Sequence, residues 1–204
     1  MEIAKFHYLT QDLQTISHQE LAEIACVNGI SWIQLRVKNK TPEEHLLIAK
    51  DVKKICDTFN TTLIINDNVE ICKQINASGV HLGKNDMPVS EARKILGENK
   101  IIGGTANTLK DILQLEKDAV NYIGLGPYKF TKTKNNLSAI LGLDGYRFIL
   151  NNFHNKIPII AIGGINIEDI EPLIDIGFHG IAVSSAINLS KEKEKTIAAF
   201  LKYI

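Results

Sequence analysis

The segment QLRVK alternates polar and apolar side chains at the end of a predicted strand. Because successive side chains of an extended chain point to opposite faces, Gln34, Arg36 and Lys38 share one face. Leu35 and Val37 share the other face. Two cations beside an amide can bind a polyanion through charge-assisted hydrogen bonds. The segment therefore predicts a polyanion site, and the alternative is a strand end that is simply solvated.

Two carboxylates are placed to join this polyanion site. Asp67 ends the predicted strand TLIIND, and Asp86 follows the next predicted strand in the segment HLGKNDMP. Mg²⁺ prefers oxygen ligands, and one or two carboxylates commonly hold it together with substrate phosphate oxygens. The pair therefore predicts a hard-cation site, and Mg²⁺ is the expected ion. For either aspartate alone, capping of the following helix is an equally good interpretation.

Small residues end two later strands, where they leave backbone N–H groups free. The segment PIIAIGG ends in Gly163-Gly164, and the segment GIAVSS ends in Ser184-Ser185. A helix follows each strand, so the N–H groups of both turns point the same way and can bind a phosphate. The alternative for Gly163-Gly164 is a tight turn from strand to helix that binds no ligand.

Hydroxyl and amino groups occupy two further strand ends. The longest irregular stretch, residues 128–143, contains the segment TKTK, which offers hydroxyl donors and mobile cations. Its residues are Thr131, Lys132, Thr133 and Lys134. The alternative is a solvated loop, and the segment gains its meaning from lying between the two predicted anion sites. Thr105 ends another strand, where its hydroxyl either donates a hydrogen bond inward or caps the strand end.

Strand and helix patterns alternate along the whole chain. The predicted strands cover residues 5–10, 31–36, 62–67, 79–83, 100–105, 122–127, 157–164 and 180–185. The predicted helices cover residues 17–28, 42–58, 68–77, 88–96, 108–117, 144–153, 167–176 and 189–202. Helix start signals support this pattern, since TPEE at the second helix combines a cap, a proline in the first turn and acidic residues.

These alternating units predict an α/β fold, a single (β/α)8 TIM barrel over residues 1–204. A doubly wound open sheet is the rival fold, and the count of eight strands with short, even spacing favours the barrel. Barrel enzymes keep their chemistry at the carboxyl ends of the strands, which is where the polar residues fall. The predicted phosphate site follows the last two strands, a common location for one.

Composition excludes several classes of function. The chain is 45% hydrophobic and 23% charged, and its formal net charge is zero. A neutral chain argues against binding nucleic acid or a membrane surface through bulk charge. No run approaches the roughly 18 apolar residues that a spanning helix needs. The first residues, MEIAKFHYLT, lack the apolar core of a signal peptide, so a cytoplasmic protein is expected.

Cysteine and histidine usage agrees with that expectation. Cys26, Cys56 and Cys72 each fall in a helical pattern without metal-type spacing, so we expect buried free thiols in a reducing compartment. The 6 histidines also lack metal spacing, and none is expected to act in catalysis. His81, in the fourth strand, is expected to be a satisfied interior residue. Small molecules are the expected partners, and the sequence leaves homo-oligomer formation open.

Two anion sites on one barrel face indicate an enzyme that joins two phosphorylated substrates. One site, on the second to fourth strands, would bind a diphosphate with a metal ion. The other, on the last two strands, would bind a monophosphate without a metal. A phosphosugar isomerase or epimerase would need only one phosphate site and an acid–base pair.

Taken in order, the motifs resemble those of the thiamine-phosphate synthase family. The matching segments are QLRVK, IINDN, GVHLGKNDMP, IIGGTANT, GLGP with the TKTK loop, AIGGI and GIAVSSAI. They extend over nearly the whole chain. The resemblance implies a TIM-barrel transferase that joins 4-amino-2-methyl-5-(diphosphooxymethyl)pyrimidine to 4-methyl-5-(2-phosphoethyl)thiazole or its carboxylated form. The implied products are thiamine monophosphate and diphosphate, and the implied cofactor is Mg²⁺.

The same resemblance implies roles for individual residues. The pyrimidine diphosphate would be held by Gln34, Arg36, Lys38, Asn66 and Lys134. Mg²⁺ would be bound by Asp67 and Asp86, and the aminopyrimidine would contact Thr105. The thiazole phosphate would be bound by Thr131, Thr133, Gly164, Ser184 and Ser185. The residues that would neutralise the leaving diphosphate are Arg36, Lys38 and Lys134. The substrate-binding set is completed by Leu35, Val37 and Lys132.

Two positions depart from the family pattern, and two rival functions share the barrel. Lys84 stands where many members have Gln, and Thr105 stands where they commonly have Ser, which keeps the hydroxyl. The first rival is the related thiazole tautomerase, which would need the thiazole phosphate site alone. The second is a sensor that binds ligands without catalysis. The joint presence of metal ligands and leaving-group cations argues against both rivals.

Overall fold

The computed structural model describes residues 2–131 and 138–204. Within them, parallel strands close into a barrel in which each strand pairs with the next along the chain. The strands are β1 (Phe6–Leu9), β2 (Trp32–Leu35), β3 (Thr62–Asn66), β4 (Gly79–Leu82), β5 (Ile101–Ala106), β6 (Tyr122–Leu125), β7 (Ile159–Ile162) and β8 (Gly180–Val183). Because β1 also pairs with β8, the (β/α)8 barrel is confirmed and the open sheet is excluded.

Helices connect the strands on the outside of the barrel. They are α1 (His18–Val27), α2 (Pro42–Thr58), α3 (Val69–Gln74), α4 (Val89–Leu96), α5 (Leu109–Lys117), α6 (Gly142–Asn151), α7 (Ile170–Asp175), α8 (Ser185–Asn188) and α9 (Lys193–Leu201). Capping boxes led by Ser17, Thr41 and Thr108 begin α1, α2 and α5. Each box satisfies backbone N–H groups that a helix start leaves without partners, so these helices begin at defined residues near the carboxyl ends of the strands.

Alternation along the strands divides the interior into two cores. Outward side chains pack against the helices, as Ile33, Ile65 and Val80 do. Inward side chains fill the barrel lumen, where Trp32 and Tyr122 belong to a separate cluster with aliphatic neighbours. The lumen is therefore packed rather than open. Polar residues at inward positions near the carboxyl ends of the strands form the floor of the barrel mouth.

The end of the chain differs from the prediction. The last helix, predicted over 189–202, begins too early, because a break separates α9, which starts at Lys193, from the short helix α8 that was not predicted. Within the break, Ser190 Oγ lies 2.8 Å from Thr196 Oγ1 and accepts a hydrogen bond from the backbone N–H of Glu192 at 3.1 Å. Such local side-chain bonds compete with helical hydrogen bonding, so the helical pattern is interrupted there.

The three cysteines lie where the sequence places them. Cys26, Cys56 and Cys72 are free, buried and located in α1, α2 and α3. The expectation of buried thiols is confirmed. Among the described residues, none of the helices combines the length and the apolar character needed to cross a bilayer.

Candidate active site at the mouth of the barrel

Four polar side chains form an inward-facing layer near the carboxyl ends of β2 to β5. The layer consists of Gln34, Asn66, His81 and Thr105. The first three are buried, and Thr105 is half-buried. Asn66 lies directly beside His81 in the pairing of β3 with β4. Buried polar groups need hydrogen-bond partners, so this layer is expected to be internally connected.

His81 connects the layer through both of its ring nitrogens. Nδ1 lies 3.0 Å from the hydroxyl of Tyr122, and Nε2 lies 2.9 Å from Oγ1 of Thr105. Gln34 bonds the same tyrosine hydroxyl. Gly124 leaves room for the imidazole, since a Cβ there would lie 3.1 Å from Cε1 of the ring. The expected interior position of His81 is confirmed, and its contact with Thr105 adds it to the candidate site.

The two cations of QLRVK lie just beyond the end of β2, on the side of Gln34. Burial lowers the pKa of Arg36, while the nearby carboxylates of Asp67 and Asp12 raise it. Lys38 forms an ion pair with Asp67 through Nζ and Oδ2. The structure therefore brings the predicted row to one edge of the mouth, beside one of the predicted metal ligands.

Leu35 and Val37 do not join the row. Both are buried in the outer core, against the helices. Strand alternation turns their side chains away from the mouth. The expectation that these two residues bind substrate is therefore excluded for their side chains and stays a prediction for their backbone atoms.

Asp67 and Asp86 meet at the same edge of the mouth. Their carboxyl groups lie within hydrogen-bonding reach of each other. The capping interpretation is wrong for both, because Asn68 caps α3 and α4 begins without a side-chain cap. Asp86 instead accepts a hydrogen bond from the backbone N–H of Gly83 at 2.6 Å, which holds the β4–α4 connection in place.

The two carboxyl groups differ in their charge state. Burial raises the pKa of Asp86, and the neighbouring Asp67 raises it further. Burial also acts to raise the pKa of Asp67, but hydrogen bonds with Asp86 and Lys38 bring it below its ordinary value. Asp67 is therefore the more readily ionised member of the pair, and Asp86 is the less readily ionised one. A divalent cation between them would favour ionisation of both.

The oxygen atoms at this edge fit Mg²⁺ better than a softer ion. Within residues 2–131 and 138–204, no group of three or more His, Cys, Asp or Glu side chains could hold a metal. Mg²⁺ typically takes one or two carboxylates and completes its coordination with water and substrate phosphates. The contact of Lys38 with Asp67 shows that this carboxylate is accessible to a positive charge. The carboxylate pair therefore suits a Mg²⁺ ion that arrives with a polyphosphate.

Gly163 and Gly164 form a turn that other residues would not fit. Their φ angles are +103° and +68°, in the region that favours glycine. A Cβ on Gly163 would lie 2.8 Å from Cα of Pro127, and a Cβ on Gly164 would lie 2.8 Å from the carbonyl oxygen of Phe130. The turn is thus constrained by its backbone conformation and by the close approach of the β6–α6 connection.

Ser184 and Ser185 follow the neighbouring strand. Ser184 Oγ donates to the carbonyl of Leu9 at 3.2 Å and accepts from Asn188 at 3.0 Å, so this hydroxyl serves the fold. Ser185 begins α8, where backbone N–H groups lack helical partners. Throughout the described ranges, the N–H groups of Gly164 and Ser185 have no hydrogen-bond acceptor. The two turns therefore leave N–H donors at the ends of adjacent strands.

The start of the β6–α6 connection docks on the glycine turn. Tyr128 N–H donates to the carbonyl of Ile162, and Lys129 N–H donates to that of Gly163, each at 2.9 Å. The ammonium of Lys129 also lies 2.5 Å from Oδ1 of Asp169, a buried carboxylate. These contacts hold the connection against the predicted phosphate site.

The rest of the TKTK segment is described only at its first residue. Thr131 is half-buried and follows the docked segment. Lys132, Thr133 and Lys134 lie outside the described residues. Their expected roles in binding both substrates and neutralising the leaving group stay predictions.

Lys84 does not face the carboxylate pair. Its ammonium lies 2.6 Å from Oδ2 of Asp111, in the first turn of α5. This ion pair borders a cavity of about 320 Å³ that Asp86 and Thr105 also line. The positive charge of Lys84 is therefore paired with α5 rather than with the predicted metal ligands.

The β1–α1 connection, for which no role was predicted, reaches the same edge of the mouth. Asp12 accepts a hydrogen bond from the backbone N–H of Lys38 at 3.0 Å, and His18 Nε2 lies 2.8 Å from its other oxygen. The only sequence signal for this contact is position, because Asp12 and His18 follow a strand end at the carboxyl face of the barrel.

Comparison with known proteins identifies the family. A family model described as thiamine monophosphate synthase matches residues 8–187. The chain belongs to the thiamine-phosphate synthase family. It is 49% identical over 193 residues to the thiamine-phosphate synthase of Flavobacterium johnsoniae, covering 93% of this chain and 91% of that protein. It is 45% identical over 183 residues to that of Bacteroides fragilis, covering 88% and 90%.

Solved structures agree with this assignment. A thiamine phosphate pyrophosphorylase from Pyrococcus furiosus superposes with a TM-score of 0.86 at 31% identity, covering 98% of this chain and 94% of that chain. A 3-hexulose-6-phosphate synthase reaches a TM-score of 0.72 at 13% identity, which shows a common fold alone. The family resemblance of the motifs is confirmed, and the thiamine-phosphate synthase family makes the chain a transferase of thiamine biosynthesis.

Proposed function

We propose that this enzyme joins 4-amino-2-methyl-5-(diphosphooxymethyl)pyrimidine to 4-methyl-5-(2-phosphoethyl)thiazole, or to its carboxylated form. The products are thiamine monophosphate and diphosphate, together with CO2 when the carboxylated thiazole reacts, and the reaction requires Mg²⁺. The observation that carries the proposal is the meeting of Arg36 and Lys38 with the Asp67–Asp86 pair at one edge of the mouth. The glycine turn after β7 supports a second, metal-free phosphate site.

The first substrate fits the edge formed by β2, β3 and β4. Its diphosphate would lie against Arg36 and Lys38, and Asp67 with Asp86 would hold the Mg²⁺ that the diphosphate also binds. When bound, Mg²⁺ withdraws charge from the diphosphate oxygens and makes them a better leaving group. The pyrimidine ring would face the inner layer, where His81 orients the hydroxyl of Thr105.

Bond cleavage and bond formation need no general base. The C–O bond between the methylene carbon and the diphosphate breaks, and its electron pair leaves with the diphosphate oxygen. Arg36 and Lys38 would neutralise that charge, and the amino group of the pyrimidine would stabilise the cation that remains. The lone pair of the thiazole nitrogen then forms the new C–N bond. Catalysis is therefore mainly positioning and leaving-group stabilisation.

The second substrate fits the opposite side of the mouth. The free N–H groups of Gly164 and Ser185 would bind its phosphate. Thr131 directly follows Phe130, whose carbonyl oxygen approaches Gly164. Anchoring at the phosphate would direct the thiazole nitrogen toward the lumen axis. Two anchored substrates then react as one complex, which reduces the entropic cost of bringing them together.

The deciding experiment measures diphosphate release and thiamine monophosphate formation by the purified chain, with Mg²⁺ and with EDTA. Release that requires both substrates and Mg²⁺ is the expected result. Asp86→Asn should abolish most of it, whereas Asp57→Asn should not, because Asp57 pairs with Lys53 on the surface of α2. Release that is unaffected by EDTA would refute the metal assignment. Isomerisation of the thiazole carboxylate without condensation would instead indicate a tautomerase.

A further inference from the structure

The β1–α1 connection binds the backbone of the residues that carry the two leaving-group cations. Asp12 Oδ2 accepts hydrogen bonds from the backbone N–H groups of Lys38 at 3.0 Å and Asn39 at 3.3 Å. Thr10 Oγ1 accepts from the backbone N–H of Arg36 at 3.1 Å. Both cations are therefore fixed through their own main chain to a neighbouring connection.

His18 joins these two anchors into one network. Its Nδ1 lies 2.8 Å from Thr10 Oγ1, and its Nε2 lies 2.8 Å from Asp12 Oδ1. Since Thr10 Oγ1 accepts from Arg36, its hydrogen can be donated to Nδ1, and Nε2–H then donates to Asp12. Thr10 and His18 are buried. A continuous set of hydrogen bonds thus runs from the backbone of Arg36 to the backbone of Lys38.

This network holds the backbone of Arg36 and Lys38, which lies beyond the hydrogen bonds of the sheet. Strand β2 ends at Leu35, so Arg36 and Lys38 lie beyond its ladder. His18 begins α1, whose capping box fixes the start of that helix. A cation on a fixed backbone loses less conformational entropy when it binds a ligand than a cation on a mobile one. The network therefore connects a rigid helix start to the two side chains that need orientation.

Charge supports the same interpretation. Burial acts to raise the pKa of Asp12, but hydrogen bonds from His18 and from the backbone of Lys38 and Asn39 lower it below its ordinary value. Asp12 is therefore a carboxylate in the folded protein. An ionised acceptor binds N–H donors about twice as strongly as a neutral one, which suits a residue that holds two backbone donors at once.

We propose that Thr10, His18 and Asp12 are positioning residues that orient Arg36 and Lys38 toward the diphosphate of the first substrate. The proposal rests on the proposed function, because that function places the diphosphate at this edge. None of the three residues needs to touch the substrate. They act through the backbone of the 36–39 segment, so their loss should weaken diphosphate binding and leave the thiazole phosphate site unchanged.

The primary test measures binding of inorganic diphosphate with Mg²⁺ to the full chain by calorimetry. Asp12→Asn keeps the shape of the side chain but removes the negative charge of the group that accepts hydrogen bonds from His18 and from the backbone of Lys38 and Asn39. We expect the diphosphate Kd and the KM of the pyrimidine substrate to rise about tenfold, the scale on which orienting partners act at other sites. The KM of the thiazole phosphate should stay within about twofold. Melting temperature is recorded for every variant.

Glu44→Gln is the matched control. Glu44 also accepts from a backbone N–H, that of Thr41 at 2.8 Å, at the other end of the same β2–α2 connection. Among the described residues, it forms no hydrogen bond with the 36–39 segment. This variant should keep the wild-type diphosphate Kd even if its melting temperature falls.

A second pair of variants protects the test against misfolding of Asp12→Asn. Thr10→Val is nearly isosteric and removes only the hydroxyl, so it should raise the diphosphate Kd. Thr10→Ser restores the hydroxyl and should return the Kd toward wild type, which a purely packing role for Thr10 would not require.

The outcomes separate this proposal from the proposed function. A wild-type chain that makes no thiamine monophosphate refutes the function, and one that also fails to bind diphosphate refutes both. An active wild type with an unchanged diphosphate Kd in Asp12→Asn and Thr10→Val overturns the positioning role alone. If the variants lose affinity for both substrates equally, and the loss follows the fall in melting temperature, the three residues have a structural role. That outcome would also overturn the positioning role.

Discussion

Asp67, a proposed Mg²⁺ ligand, also has an unusual backbone conformation. Its φ is +65°, in the left-handed region, and its N–H donates to the carbonyl of His81 at 2.8 Å. Asn and Asp tolerate this conformation better than other residues with a side chain, for which it costs roughly 1–2 kcal/mol. The choice of substitution therefore decides whether an experiment removes a charge or strains a turn.

We expect Asp67→Asn to lower kcat by about 100-fold, because the carboxylate proposed to bind Mg²⁺ is lost, while the free energy of unfolding changes by less than about 1 kcal/mol. Asp67→Ala should lose the same activity and, in addition, about 1–2 kcal/mol of stability from backbone strain. Steady-state kinetics across Mg²⁺ concentrations and urea unfolding measure the two effects. Wild-type turnover in Asp67→Asn would remove Asp67 from the metal site.

Lys84 provides a contrasting prediction at the same edge. Its ion pair with Asp111 is partly exposed, with the lysine side chain 42% accessible, and such pairs contribute about 0–1 kcal/mol. We expect Lys84→Gln to keep kcat within about threefold of wild type and to change the free energy of unfolding by less than about 1 kcal/mol. Kinetics with each substrate varied checks this. A large loss of Mg²⁺ affinity would show that Lys84 orients Asp86.

Individual residues were predictable where strand alternation decides their direction. The period of two placed Gln34 inward and Leu35 outward, and both directions agree with the burial of their side chains. The network of Asp12 and His18 was not predictable in the same way. It depends on how the β1–α1 connection folds over the end of β2, and no periodic pattern encodes the path of a connection.

At the scale of elements, the glycine turn after β7 offers a matched pair of positions. Gly163 and Gly177 have nearly equal φ angles, +103° and +104°. A Cβ on Gly163 would lie 2.8 Å from Cα of Pro127, whereas a Cβ on Gly177 would have no atom within 4 Å. The same substitution therefore adds similar backbone strain at both positions and a steric clash at only one.

We expect Gly163→Ala to raise the KM of the thiazole phosphate about tenfold, because the clash moves the turn that would bind its phosphate. Gly177→Ala should leave that KM within about twofold of wild type. Both variants should lose roughly 1 kcal/mol of stability through strain, and Gly163→Ala should lose more. Kinetics and urea unfolding of the pair measure this. Equal KM values would show that the turn does not bind the phosphate.

Elements as a whole were predictable because strands and helices alternate with clear apolar periods. Each of the eight predicted strands corresponds to a strand of the barrel. The start of α9 was predicted too early, because Ser190 forms local hydrogen bonds that an apolar pattern does not reveal. A prediction based on periodicity therefore misplaces helix ends where hydroxyl side chains form hydrogen bonds with nearby backbone N–H groups.

At the scale of the whole molecule, closure of the barrel places a titratable ring inside the lumen. His7 stacks on Trp32 with ring centroids 4.3 Å apart and meets Tyr122 edge-on at 5.1 Å. Its Nε2 lies 2.9 Å from the carbonyl oxygen of Ala4. Most barrel lumens are filled by branched aliphatic residues, which do not titrate. Because His7 is titratable, its burial in this layer makes the stability of the barrel depend on pH.

Burial lowers the pKa of His7 from 6.5 to about 3, because a charged ring would lose its hydration. The native state keeps His7 neutral, and the unfolded chain binds a proton below its ordinary pKa. The stabilisation is therefore complete above pH 6.5 and declines as the pH falls toward 3. The slope is about 1.4 kcal/mol per pH unit, or about 2 kcal/mol between pH 6.5 and about pH 5.

Removing the titratable ring should remove that part of the pH dependence. In His7→Gln, the side-chain amide can still donate to Ala4, but the free energy of unfolding should fall by about 2 kcal/mol less than in wild type between pH 6.5 and about pH 5. Urea unfolding at both pH values measures the difference. His154→Gln changes an exposed histidine and should keep the wild-type pH dependence. A wild-type slope in His7→Gln would show that the pH dependence of barrel stability comes from groups other than His7.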